Sequence, residues 1–437
     1  MKAEVLTIGD ELLRGEIIDS NKSFLSERLL TLDVETHWHS SVRDDPPDMT
    51  DAFHRAAQRA QVVLVSGGLG PTRDDLTAEV LAQSFGRKLV LDPAALETIR
   101  AFFRSVGREM TENNAKQALF PEGAEVLPNP VGTAPGFMVE ERGTLFFCMP
   151  GVPRELMRMM DEQVLPRVAR RTGASSHSSQ VVRATLLRTF GMGESALDAE
   201  LADIAQGGGV SLGFRTAFPD NYLRPVARAA TAAEADALLA ETCRAIRERL
   251  GALVYGEGDE TLETVVGRLL REKKRTVAVA ESCSGGLVAQ KLTDVPGSSA
   301  YFKGGVVAYA NSAKRDLLGV PPDLLDRYGA VSDEVARAMA EGARARFRTD
   351  LAVATTGIAG PGGGSPDKPL GLVHIALADA DRTHSDHFVF PLDRMRHRIL
   401  SSQVALDWLR RALLGLELVG PTLMRRSGGG SAPGSRS

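Results

Sequence analysis

The chain has 437 residues, of which 43% are hydrophobic and 25% charged, and its formal net charge is −4. That length exceeds one ordinary core and predicts two or three domains of a water-soluble globular kind. The weak negative charge gives no basic field for nucleic acid. The three cysteines, Cys148, Cys243 and Cys283, fit neither a disulfide framework nor a zinc site.

Met1-Lys2-Ala3-Glu4-Val5 runs straight into a strand pattern, so no leader is expected. No apolar run approaches the roughly 20 residues that span a bilayer. A reducing, cytoplasmic setting is the expectation. Strand patterns at 4–8, 34–40 and 61–65 alternate with helical spacing at 23–32, 48–58 and 76–85. A further strand at 144–149 leads through Pro150-Gly151-Val152-Pro153 into a helix from Arg154. Such alternation predicts a mostly parallel sheet covered on both faces.

The segment from about 175 to 255 reads differently, with strand-like alternation at 180–190, 210–215 and 223–230 and helices at 194–204 and 232–250. Gly207-Gly208-Gly209 marks a turn. This predicts a small α+β unit. A second α/β region follows, with helices at 262–273, 335–344 and 395–414 and strands at 276–280, 304–308, 351–355 and 371–376. The expected fold class is therefore α/β: two three-layer domains with mostly parallel sheets, joined by a small α+β domain. Expected boundaries are 1–172, 173–257 and 258–417. The stretch 418–437 ends in Ser, Gly, Pro and Arg and is expected to be a disordered tail.

Two glycine-rich loops follow early strands: Gly9-Asp10-Glu11-Leu12-Leu13-Arg14-Gly15, and Ser66-Gly67-Gly68-Leu69-Gly70-Pro71-Thr72-Arg73-Asp74-Asp75-Leu76-Thr77. Loops at strand carboxyl ends form the ligand crevice of an open α/β sheet. Glycines let backbone amides face an anion. Asp74 or Asp75 either caps the next helix or holds a divalent ion beside a pyrophosphate. Asp44-Asp45 precedes a helix and also reads as an N-cap. Arg73 and Lys116 are candidates to neutralise phosphate charge.

In the last third, Ala280-Glu281-Ser282-Cys283-Ser284-Gly285-Gly286 joins a buried strand to a helix. That geometry brings backbone N–H groups and a nucleophile to one point. Tyr309 and Lys314 fall at a strand end and the following helix start. Thr355-Thr356-Gly357 begins another strand-end loop. No Ser-His-Asp arrangement is apparent, and His374 reads as a core or surface histidine. A serine is instead activated by a lysine held neutral, or by a Tyr/Lys pair. The Gly357 region is a candidate source of amides for an oxyanion. Cys283 is the rival nucleophile, although a thiol beside a strand is more often structural.

These motifs carry a resemblance. Ser66–Thr77 resembles the Gly-Gly-x-Gly…Asp-x-Thr motif of the molybdopterin-binding (MoaB/MogA-like) family. Gly9–Gly15, the Asn129–Gly136 loop and Met149-Pro150-Gly151-Val152-Pro153-Arg154-Glu155 resemble its CinA branch. Ser66 and Leu69 stand where molybdopterin proteins usually have Thr. The resemblance implies a metal-dependent ADP-ribose pyrophosphatase, with Asp44 and Asp75 at the metal and Asp10, Gly67, Gly68, Gly70 and Thr77 at the substrate. Mg, Mn or Co would suit such a site.

The region 261–414 is similar to the CinA C-terminal, PncC-type nicotinamide mononucleotide deamidase family. The matching motifs are Ala280–Gly286, Pro296–Phe302, Tyr309–Lys314, Gly329–Ser332, Thr356–Gly363 and Lys368–Gly371. That resemblance implies Ser282 as nucleophile, with Tyr309, Lys314 and Thr356 in the catalytic set and no cofactor. Gly285, Gly286, Gly357, Arg394 and Arg398 would bind substrate. The middle unit resembles the family's KH-like connecting domain but lacks a Gly-x-x-Gly clamp in a basic setting. Implied partners are small nucleotides and a second copy in a homodimer, without membrane or nucleic acid. By family analogy alone, a repair or recombination protein contact belongs to the alternative, a non-catalytic competence or DNA-repair adaptor.

Overall fold

The computed structural model describes residues 1–32, 34–175, 181–204 and 208–422. Two units emerge, residues 1–183 with 228–236, and residues 184–227 with the chain from 237 onward.

The first unit is built on a six-stranded sheet in the order Glu35–Val42, Lys2–Ile8, Val62–Ser66, Thr144–Met149, Gly136–Glu141, Glu125–Leu127. The first four strands pair in parallel and the last two antiparallel. Alternate residues of the central strands enter two separate cores. Leu6, Val63, Val65 and Phe146 face one with the helix Pro46–Arg59; Val5, Leu64, Leu145 and Phe147 face the other with Ser20–Leu30. A sheet buried on both faces reads as near-continuous apolar strands, and these do. The helix Pro93–Ser105, capped by Asp92, and the small ribbon of Leu89–Leu91 with Leu119–Pro121 lie outside the sequence expectation.

In the second unit a small antiparallel sheet runs in the order Val210–Ala217, Asp220–Ala229, Leu187–Thr189, Val254–Glu257. Leu187, Leu197, Leu223 and Ile246 form its core, with the helices Glu194–Leu201 and Ala232–Leu250. The single strand expected at 180–190 is two, Val181–Ala184 and Leu187–Thr189. Thr185 at the break donates its N–H to the Pro225 carbonyl, and Pro225 has no N–H to return.

The larger sheet of this unit runs Phe302–Val307, Val277–Glu281, Leu351–Gly357, Leu372–Ala378, Thr383–Val389. Its first three strands are parallel; the last two add on antiparallel. One face presents Val277, Val279, Val353 and Ile375 to a core shared with Leu262–Glu272 and Arg394–Leu414. The other presents Ala278, Ala280, Ala352, Ala354 and Ala376 to a core shared with Asp333–Phe347, so a methyl-lined face lets that helix approach closely. The helix expected to start near Lys314 is Asn311–Leu318; the helix Pro322–Tyr328 and the strand Thr383–Val389 were not legible as elements.

Residues 418–422, expected to begin the tail, are held: Trp408 donates to the Val419 carbonyl at 3.1 Å and the Thr422 N–H to the Gly191 carbonyl at 2.7 Å. The rest of that tail, and Gly207 of the triple-glycine turn, lie outside the described residues. Among the described residues no helix is long and apolar enough to cross a membrane.

Candidate functional sites

In the first unit, a cleft of about 480 Å3 opens where the parallel strands end. Glu11, Asp44, Gly67, Gly68, Gly70 and Asp75 line it. Gly67 has a φ of +110°, and a side chain there would meet the Ile8 carbonyl at 2.2 Å, so only glycine closes this turn. Asp45 takes the capping role, accepting from the Asp48 N–H at 3.3 Å, which leaves Asp44 to face the cleft. Asp44 accepts from the Asp10 N–H at 3.0 Å. Burial, and behind it the carboxylates of Glu11, Asp10 and Asp75, raise its pKa above the ordinary 3.8, although the Asp10 bond pulls the other way. Asp75 accepts from the Thr72 N–H at 2.8 Å. Lys116 donates to the Thr72 carbonyl at 3.0 Å.

Two expected ligand contacts are placed elsewhere. The Asp10 carboxylate is bonded by Arg43 at 3.1 Å and Arg14 at 2.5 Å, and Glu11 stands in the cleft lining instead. Thr77 is fully buried, and its hydroxyl donates to the Gly67 carbonyl at 2.8 Å. It shapes the loop because a buried hydroxyl must spend its hydrogen bond nearby. The Asn129–Gly136 loop is organised by Asn129, whose amide oxygen accepts from the Val131 and Gly132 N–H groups and whose nitrogen donates to Glu155 at 2.7 Å.

Among the described residues no three acidic, His or Cys side chains cluster closely enough to enclose a metal ion. The donor set still fits a hard cation of the magnesium type, which takes one or two carboxylates and fills its shell with water and substrate phosphate oxygens. Five carboxylates, those of Glu11, Asp44, Asp74, Asp75 and Glu155, line one cleft, and the repulsion that Glu11 and Asp75 exert at Asp44 is what a bound cation relieves.

The second site lies at the strand ends of the larger sheet in the other unit. Lys314 is 1% exposed, and its side-chain nitrogen lies 3.2 Å from Ser282 Oγ, 2.8 Å from the Ala308 carbonyl oxygen and 3.4 Å from the Tyr309 carbonyl oxygen. Burial pushes the Lys314 pKa below its ordinary 10.5. Ser282 itself is buried, and its N–H donates to the Thr355 carbonyl at 2.9 Å. The neighbouring Cys283 thiol is buried, and that burial pushes its pKa up to about 12, which disfavours the nucleophilic thiolate.

Sequence reasoning passed over Glu281, which holds this turn. Its buried carboxylate accepts from Ser284 Oγ at 2.7 Å and from the N–H groups of Gly286, Val288 and Ala289 at 2.9, 3.1 and 2.8 Å. Three orphan donors at the start of the helix Leu287–Thr293 are thereby satisfied by one residue at the preceding strand's end. A charged residue closing an apolar strand was the available signal.

Several expected roles are reassigned. The Tyr309 side chain, just past the strand Phe302–Val307, is exposed, and its hydroxyl accepts from Arg394 at 2.5 Å rather than meeting Ser282, while its carbonyl accepts from Lys314. Thr356 is fully buried and donates to the Ala330 carbonyl at 2.7 Å, away from the nucleophile. It is Thr355 that meets Ser284, at 2.7 Å, because neighbours on a strand face opposite ways. The amides of Gly285 and Gly286 are spent on Ser282 O and Glu281. A side chain at Gly357 would meet the Leu372 carbonyl at 2.6 Å and Cys283 Sγ at 3.1 Å, and the next amide, that of Ile358, already donates to Leu372 O. Arg394 and Arg398 do reach this edge, donating to the Gly360 carbonyl at 2.8 Å and the Ser284 carbonyl at 3.1 Å. His374 stacks on His387, centroids 5.4 Å apart, and burial lowers its pKa.

The chain is 45% identical to a CinA-like protein of Geobacter sulfurreducens over 416 residues, 95% of this chain and 100% of that protein. The chain belongs to the CinA family. A CinA-like protein of Dictyoglomus thermophilum is 41% identical over 95% of this chain and 100% of its own length. Three family models match in order: a probable molybdopterin binding domain at residues 4–170, the damage-inducible protein CinA KH domain at 184–256, and the CinA C-terminal domain at 259–413. The mixed α/β sheets and the intervening KH-like module follow that order. Among solved structures, the competence/damage inducible protein CihA from Agrobacterium tumefaciens is 42% identical, covers 35% of this chain and 93% of its own, with a TM-score of 0.34. In this CinA-family chain the Ser282–Lys314 pair falls within the C-terminal match and the Asp44–Asp75 cleft within the molybdopterin-type match.

Proposed function

We propose that this chain is a bifunctional hydrolase of pyridine nucleotides. Its C-terminal region deamidates nicotinamide mononucleotide to nicotinate mononucleotide and ammonia, and its N-terminal region splits ADP-ribose into AMP and ribose 5-phosphate. The observation that carries the first activity is the buried Lys314 amine at 3.2 Å from Ser282 Oγ. A neutral amine has two N–H donors and one lone pair. Its three neighbours are two carbonyls, which only accept, and one hydroxyl, which can donate. The neutral form fits these surroundings with its lone pair on the Ser282 proton, and burial is what favours it over the ammonium.

Ser282 Oγ attacks the carboxamide carbon as its proton passes to Lys314. Lys314 returns that proton to the departing nitrogen, and ammonia leaves an ester on Ser282. Water then attacks the ester, giving a proton to Lys314, which passes it to the Ser282 oxygen as nicotinate mononucleotide leaves and the free serine is restored. Arg394 and Arg398 supply planar cationic forks for the substrate phosphate.

In the N-terminal cleft, Asp44 and Asp75 are the residues that would hold a divalent cation. Such a cation supplies charge neutralisation at a diphosphate and a more acidic water. Glycine-loop amides orient the diphosphate, and Lys116 adds positive charge nearby. Chromatographic identification of the products from each substrate, with and without added divalent metal, tests both halves. Unchanged nicotinamide mononucleotide or unchanged ADP-ribose contradicts the corresponding half.

A further inference from the structure

In the larger sheet of the second unit, the strand Val277–Glu281 runs between Phe302–Val307 on one side and Leu351–Gly357 on the other. Ser282 follows its last residue. The base reaches Ser282 from the first side, where the carbonyls of Ala308 and Tyr309, just past Phe302–Val307, hold the Lys314 amine. The nucleophile turn is gripped from the opposite side, where Thr355 stands across from Glu281 in the strand register.

Thr355 meets the turn at two points. Its carbonyl accepts from the Ser282 N–H at 2.9 Å, and its hydroxyl lies 2.7 Å from Ser284 Oγ. Thr355 and Ser284 are 1% and 0% exposed, so both hydroxyls find their partners within the protein. The direction of their bond follows from Glu281. A hydroxyl has one proton to give. Ser284 gives its proton to the Glu281 carboxylate at 2.7 Å, an acceptor that also takes three backbone N–H groups. In the remaining contact Thr355 therefore donates and Ser284 accepts. The protons run one way, from Thr355 to Ser284 to Glu281, and the Ser284 hydroxyl is committed at both ends. Of the two hydroxyls in the turn, only that of Ser282 keeps its proton for Lys314.

We propose that Thr355 is a positioning residue of the deamidation: its bond to Ser284 holds the turn where Ser282 Oγ faces Lys314, and keeps Ser284 from acting as a second nucleophile. This rests on the deamidase reading and deepens it. Glu281 ties the turn to its own strand and to the helix that follows; Thr355 ties it to the neighbouring strand. Without the Thr355 hydroxyl one backbone bond at residue 282 is left on that side, and the turn is free to pivot about it. A displacement of about 1 Å at an attacking atom is enough to lose about a hundredfold in rate.

Ammonia release by the full chain over a range of nicotinamide mononucleotide concentrations tests the role. Thr355→Val keeps the shape and removes the hydroxyl; kcat is expected to fall between about tenfold and a hundredfold, with KM within about twofold of the unaltered value. Thr355→Ser, which restores the hydroxyl, is expected to keep most of kcat. In a Ser284→Ala background the Thr355 hydroxyl has nothing to hold, so adding Thr355→Val is expected to cost no further kcat. An unchanged kcat in Thr355→Val, or a loss of the same size with and without the Ser284 hydroxyl, overturns the assignment and leaves the deamidase reading standing. Should Thr355→Val not fold, Ser284→Ala alone breaks the same bond from its other end, and an unchanged kcat there overturns the assignment equally. No ammonia from the unaltered chain overturns both.

Discussion

Lys314 and Ser282, 32 residues apart in the chain, meet at 3.2 Å in a buried setting where the other neighbours of the amine are backbone carbonyls. Burial lowers the Lys314 pKa below its ordinary 10.5. In the proposed deamidation the neutral amine is the active form, so kcat/KM for nicotinamide mononucleotide is expected to rise with pH along a limb set by this lowered pKa. Lys314→Met keeps much of the bulk and removes the base; a loss of at least about a thousandfold, with the limb abolished, is expected. The folded chain binds this proton more weakly than the unfolded chain. Stability therefore rises with pH between the lowered folded-state pKa and 10.5, and Lys314→Met should lose that dependence. Rate profiles and denaturation at several pH values read both effects.

Glu281 holds the nucleophile turn through four accepted hydrogen bonds. In Glu281→Gln one oxygen becomes an NH2 group facing backbone donors. A stability loss of about 2–4 kcal/mol is expected, together with a fall in kcat that exceeds any change in KM. Urea denaturation and steady-state kinetics check it. An unaltered kcat in a destabilised variant would show that the turn tolerates displacement.

Asp75 lines the N-terminal cleft and is fixed by the Thr72 N–H at 2.8 Å. AMP release from ADP-ribose should stop in EDTA, return with added divalent metal, and fall at least about a hundredfold in Asp75→Ala. Deamidation, carried by residues of the other unit, should be unchanged in the same sample. Full AMP release in EDTA contradicts a metal at this cleft.

Asp220 is buried and accepts from the Tyr255 hydroxyl at 2.8 Å and from the Gln403 amide at 2.8 Å. Burial raises its pKa from 3.8 to about 6. A carboxyl whose folded-state pKa is raised contributes stability that is full below pH 3.8 and lost as pH climbs through about 6. The difference amounts to roughly 3 kcal/mol at one pKa unit per 1.36 kcal/mol. Asp220→Asn should flatten the decline in stability between about pH 4 and 7 relative to the unaltered chain. Denaturation at both pH values measures it, and parallel declines in the two proteins contradict the assignment.

The sheets were legible because their strands are short apolar runs bounded by glycine and acidic loops. Thr144–Met149 and the helix Ala232–Leu250 fall where the patterns put them. Of the antiparallel additions to the larger sheet, the apolar Leu372–Ala378 was expected at 371–376 but Thr383–Val389 was not: it carries two histidines and an aspartate and is only half-buried, so it lacks an apolar signature. Pro225 broke a strand on a neighbour, an effect visible only once pairing is known. In the sites, residue types were readable but side-chain directions were not. Motif position singled out Thr356 and Tyr309, yet pleat alternation gives the neighbouring Thr355 to the turn, and the Tyr309 hydroxyl, past its strand's end, is taken by Arg394. Glu281 lay inside the most informative motif, and its role depends on three amides that only folding brings around it.

Ammonia release from nicotinamide mononucleotide by the full chain and by its Ser282→Ala variant bears most directly on the central claim. In the proposed deamidation the hydroxyl is the attacking group, and its removal takes away the hydrogen bond with Lys314 while leaving the backbone bond of residue 282 in place. The variant should therefore stay folded, with kcat lower by at least about a thousandfold. Ammonia release by the Ser282→Ala variant at the unaltered rate contradicts the account.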